Sequence, residues 1–290
     1  MAGDFEELVE QQVSTLRGDE LRRLEAAAAQ RRRAWVEARG LPTAGGRLTP
    51  REAYELFFTG YLGLPLDQVP VVSETPDEIV WRSANPCPTL EACARLGLDT
   101  RSVCRAVYEK STQAFFSALD PELRFHRSYD VIRPHAPHCE ERIVRVDFEA
   151  LMRIAIEEAE LSRAEGNKGY GAVIVIGDEV IAQAHDTAAT ARDPSLHAEL
   201  SAIRAAAARL GDADLTGAVL ISSCEACPMC AALAVWANVT TIVYGASIEE
   251  TAAMGKARIL VSAREVVAKS PALVEVIGGV LREECLALYA

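Results

Sequence analysis

Hydrophobic and polar positions divide the chain into two regimes. Residues 5–39 are rich in Ala, Glu, Leu and Arg and lack proline, and Gly40 closes them, so they predict a helical stretch. The three adjacent arginines Arg31 to Arg33 would spread around such a helix as a solvated face. Residues 41–48 (LPTAGGRL) read as a loop. Thr49-Pro50-Arg51-Glu52 then has the form of a capping box with proline in the first turn, opening a short helix through Tyr54, Leu56, Phe57 and Tyr61. Residues 69–82 are two β-rich runs around Thr75-Pro76-Asp77, a hairpin pattern. Residues 88–118 look mainly helical, the two prolines in 134–138 mark a break, and EERIVRV is a short extended run.

A boundary is expected near residue 145, because the pattern beyond it changes to alternating helix and strand. Leu151, Ile154, Ala155 and Ala159 repeat at helical spacing within 148–163. Residues 171–176 and 180–184 form strand patterns joined by Gly177-Asp178. An alanine-rich helix runs from His197 to Leu210, ahead of Gly211. Strand 218–222, helix 228–237 and strand 240–244 follow with short joints, which implies a parallel pair and a right-handed crossover. The expected fold class is α/β: an α-rich α+β domain over 1–145, then a mixed central sheet with helices on both faces over 146–290.

Composition narrows the partners. Half of the 290 residues are hydrophobic, a quarter are charged, and the net charge is −12. No apolar run is long enough for a bilayer. The acidic start MAGDFEELVE lacks a signal core, so a cytoplasmic location is expected. The negative charge does not favour a nucleic-acid partner. In a reducing compartment the eight cysteines suggest metal or redox roles over disulfides.

Three of those cysteines crowd at 224, 227 and 230. Cys227-Pro228-Met229-Cys230 sits at a strand-to-helix turn, and His197-Ala198-Glu199 opens the preceding helix. A Cys-x-x-Cys step lets two sulfurs reach one ion, and helix N-termini favour thiolates. His197, Cys227 and Cys230 as three protein ligands leave the fourth tetrahedral position of Zn2+ for water, the arrangement of a catalytic site. Glu199, two residues past the histidine, would stand beside that water and move protons. A structural site remains the alternative, with Cys224 as a fourth ligand.

The His-Ala-Glu and Cys-Pro-Met-Cys pair resembles the nucleobase-deaminase signature, except that Ala226 stands where that signature has proline. From Val146 onward, about half the chain resembles the cytidine-deaminase-like superfamily. The resemblance is nearest to guanine deaminases, yeast-type cytosine deaminases and tRNA adenosine deaminases. It rests on GYGAVIVIGDEVIAQAHD, DPSLHAELSAIRAA, SSCEACPMCAALAVWA, IVYGASIEE and GGVLREEC.

It implies a three-layer αβα domain around a five-stranded sheet, a homodimer, and hydrolytic release of ammonia from a small heterocycle such as guanine, a pyrimidine or a triazine. It also points to substrate contacts. The family's base-gripping asparagine is replaced by Asp186, which accepts hydrogen bonds where an amide would also donate, so the substrate should present an N–H or a positive charge there. The bland reading of Asp186 is a solvated loop carboxylate. Trp236 matches an aromatic residue that lines the base pocket of guanine deaminases, and its bland reading is core packing. Ala172 and the backbone near Ala198 and Cys227 are further candidates. The second functional reading is adenosine editing in tRNA, for which Lys168, Lys256 and Arg258 are the few basic residues near the motifs.

In the first half, NPCPTLEACARLGLDTRSVC with Cys139 resembles bacterial domains grouped with 2-aminothiazoline-carboxylate hydrolases, on cysteines and a helical pattern alone. Cys87, Cys93, Cys104 and Cys139, with His135 and His138, are spaced irregularly for a second metal, and the cysteines read as buried or incidental thiols. Trp81, Phe57, Phe58, Phe115 and Phe116 read as core.

Overall fold

The computed structural model describes residues 2–17, 21–41 and 47–290. They fall into two compact units, Met1–Val146 and Asp147–Ala290. Among the described residues no helix is long and apolar enough to cross a membrane.

In the first unit, α1 (Ala2–Leu16) and α2 (Leu21–Glu37) occupy the helical stretch read from the sequence. Of the expected loop at 41–48, residues 42–46 lie outside the described residues. Helix α3 (Pro50–Glu55) opens on Thr49 with the capping box formed in both directions, and continues as a π-helical turn through Leu56–Tyr61. The hairpin is β1 (Val71–Glu74) and β2 (Glu78–Ser83).

Residues 88–118 are mainly helical, as expected, in two runs parted at residues 97–99. Helix α4 (Pro88–Leu96) ends on Gly97 at φ 66°, a left-handed cap that glycine adopts without strain. Helix α5 (Thr100–Val103) leads through a π-helical turn at Cys104–Glu109 into α6 (Lys110–Leu119). Strand β3 (Leu123–Arg127) was not foreseen, and β4 (Cys139–Arg145) is the extended run. The four strands form an antiparallel sheet in the order β1-β2-β4-β3.

Phe57, Phe58, Trp81, Phe115 and Phe116 are buried in one aromatic core, as expected. Arg32 corrects the sequence reading: Arg31 is exposed, but Arg32 is 8% exposed. A run of three on a helix spans about 200° of its circumference, so one of the three must turn inward when the helix is packed.

In the second unit, α7 (Phe148–Ala164) precedes β5 (Gly171–Ile176) and β6 (Glu179–His185). A short α8 (Ala188–Ala191) leads to α9 (Ala198–Leu210), then β7 (Ala218–Cys224), α10 (Pro228–Trp236) and β8 (Thr241–Ala246). Helices α11 (Ile248–Ala253) and α12 (Ala263–Ala268), strand β9 (Glu275–Gly278) and α13 (Arg282–Ala287) complete it.

The sheet order is β6-β5-β7-β8-β9. Strands β5, β6 and β7 pair antiparallel, whereas β7, β8 and β9 are parallel. Central β7 is buried at all seven positions, as a strand covered on both faces must be. Ala172, Ile174, Leu220 and Ile242 pack with α9, α10 and α12 on one face. The other face receives α7 and α13 so closely that a Cβ at Gly171 would overlap the Ala155 carbonyl, and one at Gly245 the Cys285 sulfur. This is the three-layer αβα architecture.

Candidate active site

Two helix starts build the site. His197 is the N-cap of α9 and Cys227 the N-cap of α10, both with extended backbone and neither using its side chain as a cap. Pro228, in the first turn of α10, has no N–H to leave unsatisfied there. Cys230 lies one turn further on. The side chains converge: Cys227 Sγ is 3.6 Å from His197 Nδ1, Cys230 Sγ is 3.7 Å from it, and the sulfurs are 3.7 Å apart. Tetrahedral zinc with ordinary bond lengths would need about 3.8 Å between two sulfurs and about 3.6 Å between sulfur and nitrogen. The donor set therefore fits a zinc ion in both chemistry and spacing.

Among the described residues this trio is the group of His, Cys, Asp and Glu close enough to share an ion. Cys224 is not part of it. Its sulfur is 3.9 Å from Thr251 Oγ1 and accepts from Arg258 Nη2 at 3.5 Å, and burial pushes the thiol up to about 12. Nor do Cys87, Cys93, Cys104 and Cys139 join any such group.

The charges inside the trio are polarised. The Cys230 S–H, followed by His197, holds Cys227 down to about 4, against the opposing effect of burial. Cys230 is raised, first by that same hydrogen bond. Glu199, in the first turn of α9, is 5% exposed. Burial, then the neighbouring Cys227 thiolate, pushes its carboxyl up to about 7. A carboxylic acid poised there can both take and give a proton near neutral pH.

Asp186 follows β6 and is fully buried, which overturns the solvated-loop reading. Its backbone is fixed by bonds to the Tyr170 carbonyl and from the Ser162 hydroxyl. Oδ1 accepts from Ala188 N at 3.3 Å, but Oδ2 is buried with no partner. The Asp186 charge is felt at His197, so the two share one neighbourhood. Ala172 and Ala198 are fully buried. Ala198 opens α9, where the backbone N–H has no acceptor within the helix.

Trp236 is 81% exposed, so core packing is wrong for it. It ends α10, six residues past Cys230 and thus about 9 Å further along the helix. In the single chain it faces solvent.

Sequence reasoning passed over Glu225. This residue is 4% exposed, and its carboxylate holds two helix starts: Oε2 accepts from Ile248 N at 3.0 Å and Oε1 from Ala263 N at 2.9 Å. A lone charge inside the otherwise uncharged run SSCEAC was the signal available. It fixes the turn between β7 and Cys227 where Ala226 offers no proline rigidity. Ser223, which accepts from Gly171 N and lies 3.0 Å from the Tyr289 hydroxyl, was missed as well.

The sequence pattern of the family described as the cytidine and deoxycytidylate deaminase zinc-binding region matches residues 146–246. The tRNA-specific adenosine deaminase of Bacillus subtilis (strain 168) is 36% identical over 137 residues, 47% of this chain and 83% of that protein. The guanine deaminase of the same strain is 40% identical over 86 residues, 30% of this chain and 55% of its own length. Among solved structures, a guanine deaminase from Nitrosomonas europaea is 25% identical with a TM-score of 0.44, covering 49% of this chain and 81% of that one.

Proposed function

Since this chain belongs, through its second unit, to the cytidine and deoxycytidylate deaminase zinc-binding family, we propose that it is a hydrolytic deaminase of a small amino-substituted heterocycle. The observation that carries this reading is a three-donor trio with zinc spacing beside the buried carboxyl of Glu199, while Cys224 is turned away. His197, Cys227 and Cys230 would hold the ion. When bound, zinc supplies the Lewis acidity that makes hydroxide available near neutral pH.

Glu199 takes one proton from the attacking water and delivers it to the ring nitrogen, then takes the second from the newly added hydroxyl and gives it to the departing amine. The carbon–oxygen bond forms, the exocyclic carbon–nitrogen bond breaks, and ammonia leaves. Asp186 Oδ2 orients the substrate by accepting from a ring N–H, which would satisfy its unpartnered oxygen. The backbone donor of Ala198, which has no acceptor within its helix, helps seat the ring, and Trp236 stacks on it if a second copy or the heterocycle covers that end of α10.

A free base such as guanine, a pyrimidine or a triazine suits these features. Adenosine in tRNA is the second reading, favoured by the longer match to the tRNA-specific enzyme. Against it stand the net charge of −12 and the engagement of Arg258, which donates to Thr251 Oγ1 at 2.9 Å and lies 4.8 Å from the Tyr170 ring.

The test is ammonia release from a panel of free bases, nucleosides and tRNA. Turnover of a free base that Glu199→Ala abolishes, with zinc still near one per chain, supports the proposal. Turnover confined to tRNA replaces it with the second reading. A zinc-loaded parent inert on the whole panel returns the site to a structural role.

A further inference from the structure

Helix α7 carries a buried hydroxyl in its last turn. Phe148, Met152, Ala155 and Ala159 make an apolar row along it at alternating steps of four and three, and Ser162 is the next member, fully buried like Ala159. A hydroxyl in such a row is costly unless its hydrogen bonds are made. Ser162 both accepts and donates: its Oγ takes the Gly169 N–H at 3.2 Å and gives its proton to the Asp186 carbonyl at 2.7 Å. Its own carbonyl accepts from Asn167 N at 2.9 Å.

These bonds meet where the ladder between β5 and β6 stops. Gly171 and His185 are paired, and just beyond them Asp186 N donates to the Tyr170 carbonyl at 2.9 Å. Asp186 is thus gripped on both sides, its N–H by the residue ahead of β5 and its carbonyl by α7. Gly169, at φ 80°, makes the turn that presents its N–H to Ser162. The Asp186 carboxylate is joined to this backbone by a short side chain, so a shift of the backbone passes to it almost in full. A second tie holds the far side. Thr187 N bonds the Leu196 carbonyl at 3.1 Å and closes the loop that leads to His197, while Asn167 Oδ1 accepts from Thr190 N at 2.9 Å and from Thr190 Oγ1 at 3.1 Å.

We propose that Ser162 is a positioning residue for substrate binding, whose hydroxyl sets the place of the Asp186 carboxylate. This rests on the reading of Asp186 as the group that accepts from the substrate ring. Ser162 itself is sealed in the row on α7 and touches no substrate. Its hydroxyl is the link through which that helix fixes the Asp186 carbonyl, and Asn167 carries the same hold to the loop before His197.

The experiment is a double-mutant cycle in the full zinc-loaded chain: Ser162→Ala, Asp186→Ala and the pair. Kinetics are measured on guanine, cytosine and 5-azacytosine, taking the base that the parent turns over fastest. Ser162→Ala should raise KM about 10-fold and leave kcat within about threefold, because a group that orients the ring acts on ground and transition states alike. With Asp186→Ala already present, the same change should add less than about twofold, since the carboxylate it serves is gone. Zinc should stay near one per chain, and backbone amide exchange should quicken over residues 183–190 but not over 218–230. Ser162→Cys fills a similar space with a weaker donor and should move KM in the same direction; it stands in if the alanine variant does not fold. An equal rise in KM with and without Asp186 marks a merely structural hydroxyl and overturns the proposal. So do an unchanged KM, loss of zinc, unaltered exchange around Asp186, or failure of both Ser162 variants to fold. A parent inert on all three bases, or an Asp186→Ala variant with the KM of the parent, instead removes the reading of Asp186 itself and the proposal with it.

Discussion

Replacing Glu225 with alanine tests how the metal-bearing turn is held. Helices α11 and α12 both begin with complete capping boxes: Ser247 with Glu250, and Ser262 with Glu265. Those boxes satisfy the N-cap and third-position N–H groups and leave the first-position donors, Ile248 N and Ala263 N. Glu225 takes one on each carboxylate oxygen. Alanine would strand two buried donors at about 1–3 kcal/mol each, roughly 2–6 kcal/mol together, against a total stability on the order of 5–15 kcal/mol. Glutamine is no remedy, since its amide nitrogen would face one of the two N–H groups, and a loss of about 1–3 kcal/mol is expected. Because Glu225 stands two residues before Cys227, zinc affinity should fall along with stability. Urea denaturation of the zinc-loaded and zinc-free protein, with a competing chelator, reads both quantities. If Glu225→Ala stays within about 0.5 kcal/mol of the parent and binds zinc equally well, the reasoning that this carboxylate anchors the turn is wrong.

Asp186→Asn should raise KM for a heterocycle that presents N–H by about 10-fold or more, because the amide can place a donor where the substrate has one; unchanged kinetics and substrate range across the panel would remove Asp186 from the binding site. Gly171→Ala should destabilise the second unit by at least about 1–3 kcal/mol in denaturant melts, since the added methyl meets backbone of α7, which cannot move aside as a side chain would. His185 lies 2.6 Å from Glu158 and 3.1 Å from Glu165; burial opposes its charge, but the two carboxylates outweigh it and raise its pKa above the usual imidazole value. Its contribution to stability is therefore full below pH about 6.5 and lost as pH rises through the folded value, so the gap in urea midpoint between parent and His185→Gln should shrink from pH 6 toward pH 9; a gap that widens would show the opposite linkage.

Short-range chemistry was legible in the sequence. The His-Ala-Glu and Cys-Pro-Met-Cys spacings put three donors at two helix starts, because capping, proline placement and the Cys-x-x-Cys step are set by neighbours along the chain. The Thr49 capping box, the hairpin at 71–83 and the apolar first half of β7 follow from the same local rules. Strands β3 and β9 were not legible: Leu-Arg-Phe-His-Arg and Glu-Val-Ile-Gly are too short to announce themselves, and they are strands because a sheet edge is available to them. Burial of charge likewise depends on what packs from elsewhere. Asp186 in its sealed position, Arg32 turned inward, Glu225 bridging two helix starts and Trp236 left in solvent all have their surroundings fixed by elements distant in sequence. The chain order thus determined which donors could meet a metal, while the packing of sheet and helices decided which charges lost their water.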